Sequence, residues 1–178
     1  MPLTPLHFGA GLFLGIISLS FLDFTAFLIG SVFPDIEPAF SVLANIRYPY
    51  LSYTHHGILH SFLGGIISAL LIAIILVDRQ EPIIRLLRRL FGEAYPEAKK
   101  PLAVIFLSAL AGFWLHILFD SFTHYDVYPF WPSSFNPFLR LISVAQQRLI
   151  VYVLALAGVI LLAIKILKRK NIKSNDSK

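Results

Sequence analysis

His116, Asp120 and His124 stand four residues apart at the end of a long apolar run, His116-Ile-Leu-Phe-Asp120-Ser-Phe-Thr-His124. On a helix that step returns each side chain to nearly the same face about 6 Å further along, a spacing at which neighbours share one metal ion or hold two adjacent ones. An Asp and two His in an apolar segment are costly unless something satisfies them. The stretch therefore predicts one wall of a metal site. The chain has no cysteine, which excludes thiolate zinc sites, iron–sulfur clusters and disulfides and leaves His, Asp and Glu as the strong ligands.

Two further stretches offer the other walls. In Thr54-His55-His56-Gly57-Ile58-Leu59-His60-Ser61, three of the six histidines fall within six residues. If Thr54 caps a helix there, His56 and His60 share a face, with His55 about 140° away from His60. In Phe33-Pro34-Asp35-Ile36-Glu37-Pro38, proline is expected to end a helix, and two carboxylates follow at a spacing that lets both face one site. Taken alone, such a Pro-Asp pair is as readily a solvated turn. Glu37 and Asp126 are candidates for the general base, or for the acceptor that a metal-bound His needs at its other nitrogen.

The chemistry these residues suit is hydrolysis by a metal-activated water, with two or three divalent ions of the zinc type. No Gly-rich phosphate loop and no Gly-x-Ser-x-Gly occurs, so nucleotide binding and serine hydrolysis have no support. Bis-His haem is disfavoured by the many carboxylates, and ion transport by the lack of charge at mid-depth in the clearest apolar spans. The plainer alternative is a polar cluster that closes helix ends, or a metal that only staples the helices.

The elements that must position these groups are helices in a bilayer. Of 178 residues 57% are hydrophobic and only 14% charged, and mean hydropathy is +0.74, which points to an all-α integral membrane bundle rather than a soluble domain. Residues 58–77, 102–119 and 149–166 read as three clear spans. The apolar region 8–33 reads either as one long helix or as a hairpin turning near Ser20–Asp23. The basic stretch 82–91 reads as an amphipathic helix on the membrane surface, for which anionic lipid is a cheaper partner than nucleic acid. One domain is expected over 1–168, followed by a polar, disordered tail over 169–178; oligomeric state is left open.

Charge then orients the chain. Twelve of the fifteen Lys and Arg lie in the 78–101 loop or from Lys165 onward. The positive-inside rule places both in the cytoplasm, and so gathers Asp35, Glu37, His55, His56, His60, His116, Asp120, His124 and Asp126 on the opposite, extracytoplasmic side. A site there, at headgroup level and flanked by an aromatic loop, would meet a lipid or lipid-linked substrate without extracting it from the bilayer.

The motifs, taken in order, resemble a known family. His7 with Gly11 after it, Pro34-Asp35 with Glu37, His55-x-Gly57-x-x-His60-Ser61, and Gly112-x-x-x-His116-x-x-x-Asp120 look like the membrane-bound metal-dependent hydrolases of the YdjM-like group, over roughly residues 1–135. More distantly, the order of ligands is similar to the zinc-dependent phospholipase C and single-strand nuclease group. The resemblance implies an inner-membrane hydrolase with His7, Asp35, His55, His60, His116 and Asp120 in its site. It favours the hairpin, since only a hairpin returns His7 to the other ligands. The family commonly has Arg where His56 stands, so alignment favours His55 as ligand while helical spacing favours His56.

Overall fold

A computed structural model of the chain describes residues 4–47, 56–92, 95 and 98–175, with side chains over 8–44, 56–92, 95 and 98–167. Every regular element among them is helical: α1 (Thr4–Ile17), α2 (Phe24–Val32), a 3-10 turn (Phe33–Asp35), α3 (Ile36–Arg47), a second 3-10 turn (Ile58–His60), α4 (Phe62–Val77), α5 (Gln80–Phe91), α6 (Leu102–Ser121) and α7 (Val144–Asn175). The all-α fold is the one composition predicted. The helices pack in the order α4, α6, α2, α1, α7, so that α6 lies between α4 and α2.

The N-terminal apolar region is a hairpin. The carbonyl of Ser18 accepts from the N–H groups of both Phe21 and Leu22, and Asp23 then caps α2 by accepting from Ala26 N–H at 2.8 Å. A cap of this kind stabilises a helix by about 1 kcal/mol. The Asp23 N–H donates in turn to Ser108 Oγ on α6 at 2.8 Å, pinning the start of α2 to its neighbour.

Further along, the backbones of α2 and α6 come close enough that a Cβ on Gly30 would collide with the Ala109 carbonyl, and one on Gly112 with the Phe27 carbonyl. This small-residue contact is how apolar helices associate where lipid removes the hydrophobic drive between them. It brings the far end of α2 beside the far end of α6. Ala26, Ala109, Ile105, Phe113 and Ile117 fill the core there with almost no exposure.

The expected element boundaries change in places. α2 ends at Val32, just before Pro34 as expected, but no loop follows: Pro34 sits in the first turn of a 3-10 segment, where its missing N–H costs nothing, and the chain continues into α3. Phe24–Ala44 is thereby a 21-residue candidate span, which joins Leu102–Ser121 and Val144–Leu167 as the three helices long and apolar enough to cross a membrane. Residues 58–77 are not one straight span. Ser61 is extended and caps α4 through Gly64 N–H, so the helix begins at Phe62; its 16 residues reach about 24 Å, short of a bilayer core of about 30 Å. It forms a span only together with α5, across a bend of 87°. The last helix, α7, runs Val144–Asn175.

At the end remote from the histidines, α5 packs its apolar face into the bundle. Leu87 and Phe91 join Leu12, Ile16, Leu19, Phe24 and Tyr95 in a second core. The Gln80 side chain spans the adjoining loop, accepting from Lys100 N–H at 2.6 Å and donating to Lys100 O at 3.0 Å. The surface helix expected over 82–91 thus also closes one end of the bundle.

Candidate metal centre

The remaining end carries the chemistry. His116 and Asp120 are one turn apart on α6, as their spacing predicted, and both are buried. The helix stops at Ser121, so His124 lies beyond its end. It lies in the following turn, where its N–H still bonds the Asp120 carbonyl at 2.9 Å and its Nδ1 lies 3.8 Å from Asp120 Oδ1. Asp35 comes from the 3-10 turn after α2, and its Oδ1 lies 3.7 Å from His116 Nε2.

His60 reaches the group by an irregular backbone, not by the helix that sequence spacing implied. Residues 56–61 wrap around the Glu37 carboxylate. Its Oε2 accepts from Gly57 N–H at 2.8 Å, and its Oε1 from Leu59 N–H at 3.3 Å. The approach is close: a Cβ on Gly57 would stand 2.6 Å from Glu37 Oε1, so a larger residue there would displace the carboxylate. The same carboxylate meets His60 Nδ1 at 3.0 Å and leaves Nε2 facing Asp120 Oδ2 at 3.7 Å. His56 and His60 are neighbours after all, edge to face with ring centroids 4.4 Å apart, but the loop brings them together.

Each of three histidines is therefore gripped at one nitrogen. Glu37 meets Nδ1 of His60, Asp126 Oδ2 meets Nδ1 of His56 at 2.8 Å, and the Ser31 carbonyl accepts from Nδ1 of His116 at 2.8 Å. Gripping the outer nitrogen fixes tautomer and ring orientation and raises the basicity of the other nitrogen, which is how proteins prepare imidazole for metal. Glu37 and Asp126 occupy the acceptor role, one of the two that their sequence positions suggested. The Ser31 carbonyl is an addition that no residue-type signal announces, because every residue carries one.

Asp35, His60, His116 and Asp120 offer one ligand atom each, all within 4.8 Å of one another. The closest pairs fit an ion. Ligands held at about 2.0–2.1 Å in a tetrahedron stand about 3.3–3.5 Å apart. The contact between His116 Nε2 and Asp120 Oδ2 is 3.3 Å, and the His60–Asp120 and His116–Asp35 contacts are both 3.7 Å. Asp35 Oδ2 and His60 Nε2 are buried with no hydrogen-bond partner among the described residues, a costly state that a bound cation would relieve. The group can hold a metal.

Electrostatics prepares His60 for that role. Burial pushes its imidazole down to about 4 against the opposing pull of Glu37, so at neutral pH it is the neutral base a metal needs. At Asp126, burial raises the carboxyl, but the bond from His56 and further hydrogen bonding outweigh it and hold the group below its ordinary value.

The sequence profile of the YdjM inner membrane protein family matches residues 1–173. The chain belongs to that family. Neither a curated protein nor a solved structure matches it. Of the residues implicated by family resemblance, this family member brings Asp35, His60, His116 and Asp120 into one group. His55 and the side chain of His7 lie outside the described residues, although α1 begins at the same end of the bundle as the group. His56 and His124 border the group, with their ring centroids 5.0 Å apart.

Proposed function

We propose that this family member is a metal-dependent hydrolase embedded in the inner membrane, acting on a phosphoester of a lipid or lipid-linked molecule. The observation that carries the reading is the set of histidines gripped at Nδ1 with Nε2 directed at buried carboxylates. A divalent ion of the zinc type held by Asp35, His60, His116 and Asp120 would supply Lewis acidity and a water acidified for hydrolysis.

Asp120 supports more than one ion. Its Oδ2 faces His60 and His116 while its Oδ1 faces His124, the arrangement of a carboxylate shared between adjacent positions. His56, with Asp126 behind it, extends the ligand set beyond what one structural ion requires. The chain's own residues do the positioning: Glu37 and the Ser31 carbonyl orient two ligands, and Asp126 orients His56. The skew of basic residues toward the 78–101 loop and the C-terminus supports a site on the extracytoplasmic side, with the C-terminus in the cytoplasm.

A second reading, a metal that only staples α2, α4 and α6, draws on the same four side chains, enough to close a tetrahedral shell. The deciding experiment measures metal content and phospholipid hydrolysis of detergent-purified protein beside His116→Ala and Asp120→Ala. More than one zinc-like ion per chain, with chelator-sensitive hydrolysis lost in both variants, is the expected result. A single tightly held ion without turnover of any phospholipid would establish the structural reading instead. Native protein that binds no metal, with both variants equally well folded, would overturn both.

A further inference from the structure

Beside the metal group, between the end of α6 and the start of α7, lies a cavity of about 400 Å³. That volume is in the range of small-molecule sites. Phe122, Leu139, Ile142 and Val144 make its wall apolar, and Arg140 supplies a cation. Thr123 links it to the border of the metal group: it lines the cavity, and its hydroxyl lies 3.4 Å from Nδ1 of the bordering His124.

Arg140 is held there at a cost. Its φ of 65° is in the left-handed region, uncommon for a residue with a long side chain. Its N–H is anchored to the Phe122 carbonyl at 2.8 Å, which ties two residues of the cavity wall together. Among the described residues no carboxylate pairs with it. Between residues 34–56 and 121–148, the segments around the metal group, the sequence has only Arg47, Arg140 and Arg148 as Lys or Arg. Four carboxylates, Asp35, Glu37, Asp120 and Asp126, crowd the neighbouring group. An anion approaching them needs an offsetting cation, and Arg140 lines a cavity where one could be met.

The surroundings of the cavity favour a lipid over a free anion. Tyr125, Leu141 and Val144 are exposed near its mouth. The α7 helix that starts from it is the least buried of the candidate spans, with 11% of its most apolar window buried, so its flank is suited to acyl chains. Ser143 and Gln146 cap each other reciprocally at the start of that helix, Ser143 N–H donating to Gln146 Oε1 and Gln146 N–H to Ser143 Oγ, which fixes the rim.

We infer that this cavity receives the phosphate-bearing headgroup of an anionic bilayer lipid, with Arg140 pairing to the phosphate and the apolar wall taking the start of the acyl chains. The inference rests on the lipid-phosphoester reading above and names the residue that would select the substrate class. Arginine suits the role because its planar fork matches phosphate oxygens.

The test is a titration of the full chain in detergent micelles with dioctanoyl phosphatidic acid, read by native mass spectrometry. Dioctanoylglycerol and inorganic phosphate are run in parallel, with metal content measured on each sample. Arg140→Asn and Arg140→Gly both tolerate the left-handed backbone, so at least one is expected to fold; Arg148→Gln is the control outside the cavity. Expected is a phosphatidic acid adduct weakened at least about tenfold in the Arg140 variants, about 1.4 kcal/mol, and unchanged in Arg148→Gln, with metal content unaltered. Equal binding of uncharged dioctanoylglycerol, or native-like phosphatidic acid binding by the Arg140 variants, would overturn the inference. Inorganic phosphate binding as tightly as the lipid would overturn the lipid as occupant. If the Arg140 variants lose the lipid while native protein hydrolyses none, the cavity assignment stands and the hydrolase reading falls. If they bind and hydrolyse as native while Asp120→Ala loses its metal, the reverse holds.

Discussion

Glu37 shows how much one side chain can organise. It grips His60 and two backbone N–H groups of the 56–61 loop, so it sets both the ring's tautomer and the loop's path. Glu37→Gln is expected to weaken metal binding about 10- to 100-fold, as measured by chelator competition, because the amide is a poorer acceptor for the imidazole N–H. His60 itself makes stability pH-dependent. Unfolded, its imidazole takes up a proton near the ordinary 6.5; folded, it resists until about 4. The unfolded chain therefore binds more protons across that interval, and stability falls as pH drops from about 6.5 toward 4, then levels off. Melting temperatures of metal-free protein in micelles should decline across that window. His60→Asn should flatten the decline, and an unchanged slope would remove His60 as its source.

At the scale of elements, the site depends on how closely α2 approaches α6. Asp35 follows the end of one and His116 stands on the other, so their 3.7 Å contact requires the Gly30 and Gly112 crossing less than two turns away. Gly30→Val should push the helices apart, cost about 1–3 kcal/mol by overpacking, and lower metal content together with melting temperature. Ala111→Val, on an exposed position of α6, is the matched control and should change neither. Loss of stability without loss of metal would place the ligands' support elsewhere. The cap on α4 is more local: Ser61→Ala removes the acceptor for Gly64 N–H and should cost about 1 kcal/mol in a thermal melt.

For the whole molecule, orientation in the membrane is open to a direct experiment because the chain has no cysteine of its own. Tyr125 is exposed at the end that holds the metal group, and Arg85 lies in α5 at the other end. With the site on the extracytoplasmic side, a membrane-impermeant maleimide should label Tyr125→Cys in intact spheroplasts and Arg85→Cys only after permeabilisation. The opposite pattern would invert the proposed topology and place the substrate in the inner leaflet. Neither result depends on knowing the reaction.

Composition alone determined that this is an all-α membrane bundle, because a chain this apolar must satisfy its backbone internally and helices do so segment by segment. The i, i+4 spacing of His116 and Asp120 likewise stated their shared face, since a regular helix converts sequence distance directly into direction. Only the tertiary structure decided the rest. That His56 and His60 meet through a loop, and not along a helix, depends on Glu37 recruiting the N–H groups of Gly57 and Leu59 from another segment. That Phe24–Ala44 is a candidate span while α4 stops short depends on a proline placed where its missing N–H is harmless and on a serine that caps. The grip of the Ser31 carbonyl on His116 depends on two helices touching at glycine. These are long-range or main-chain interactions, and residue types along the chain do not specify which partner a backbone group will find.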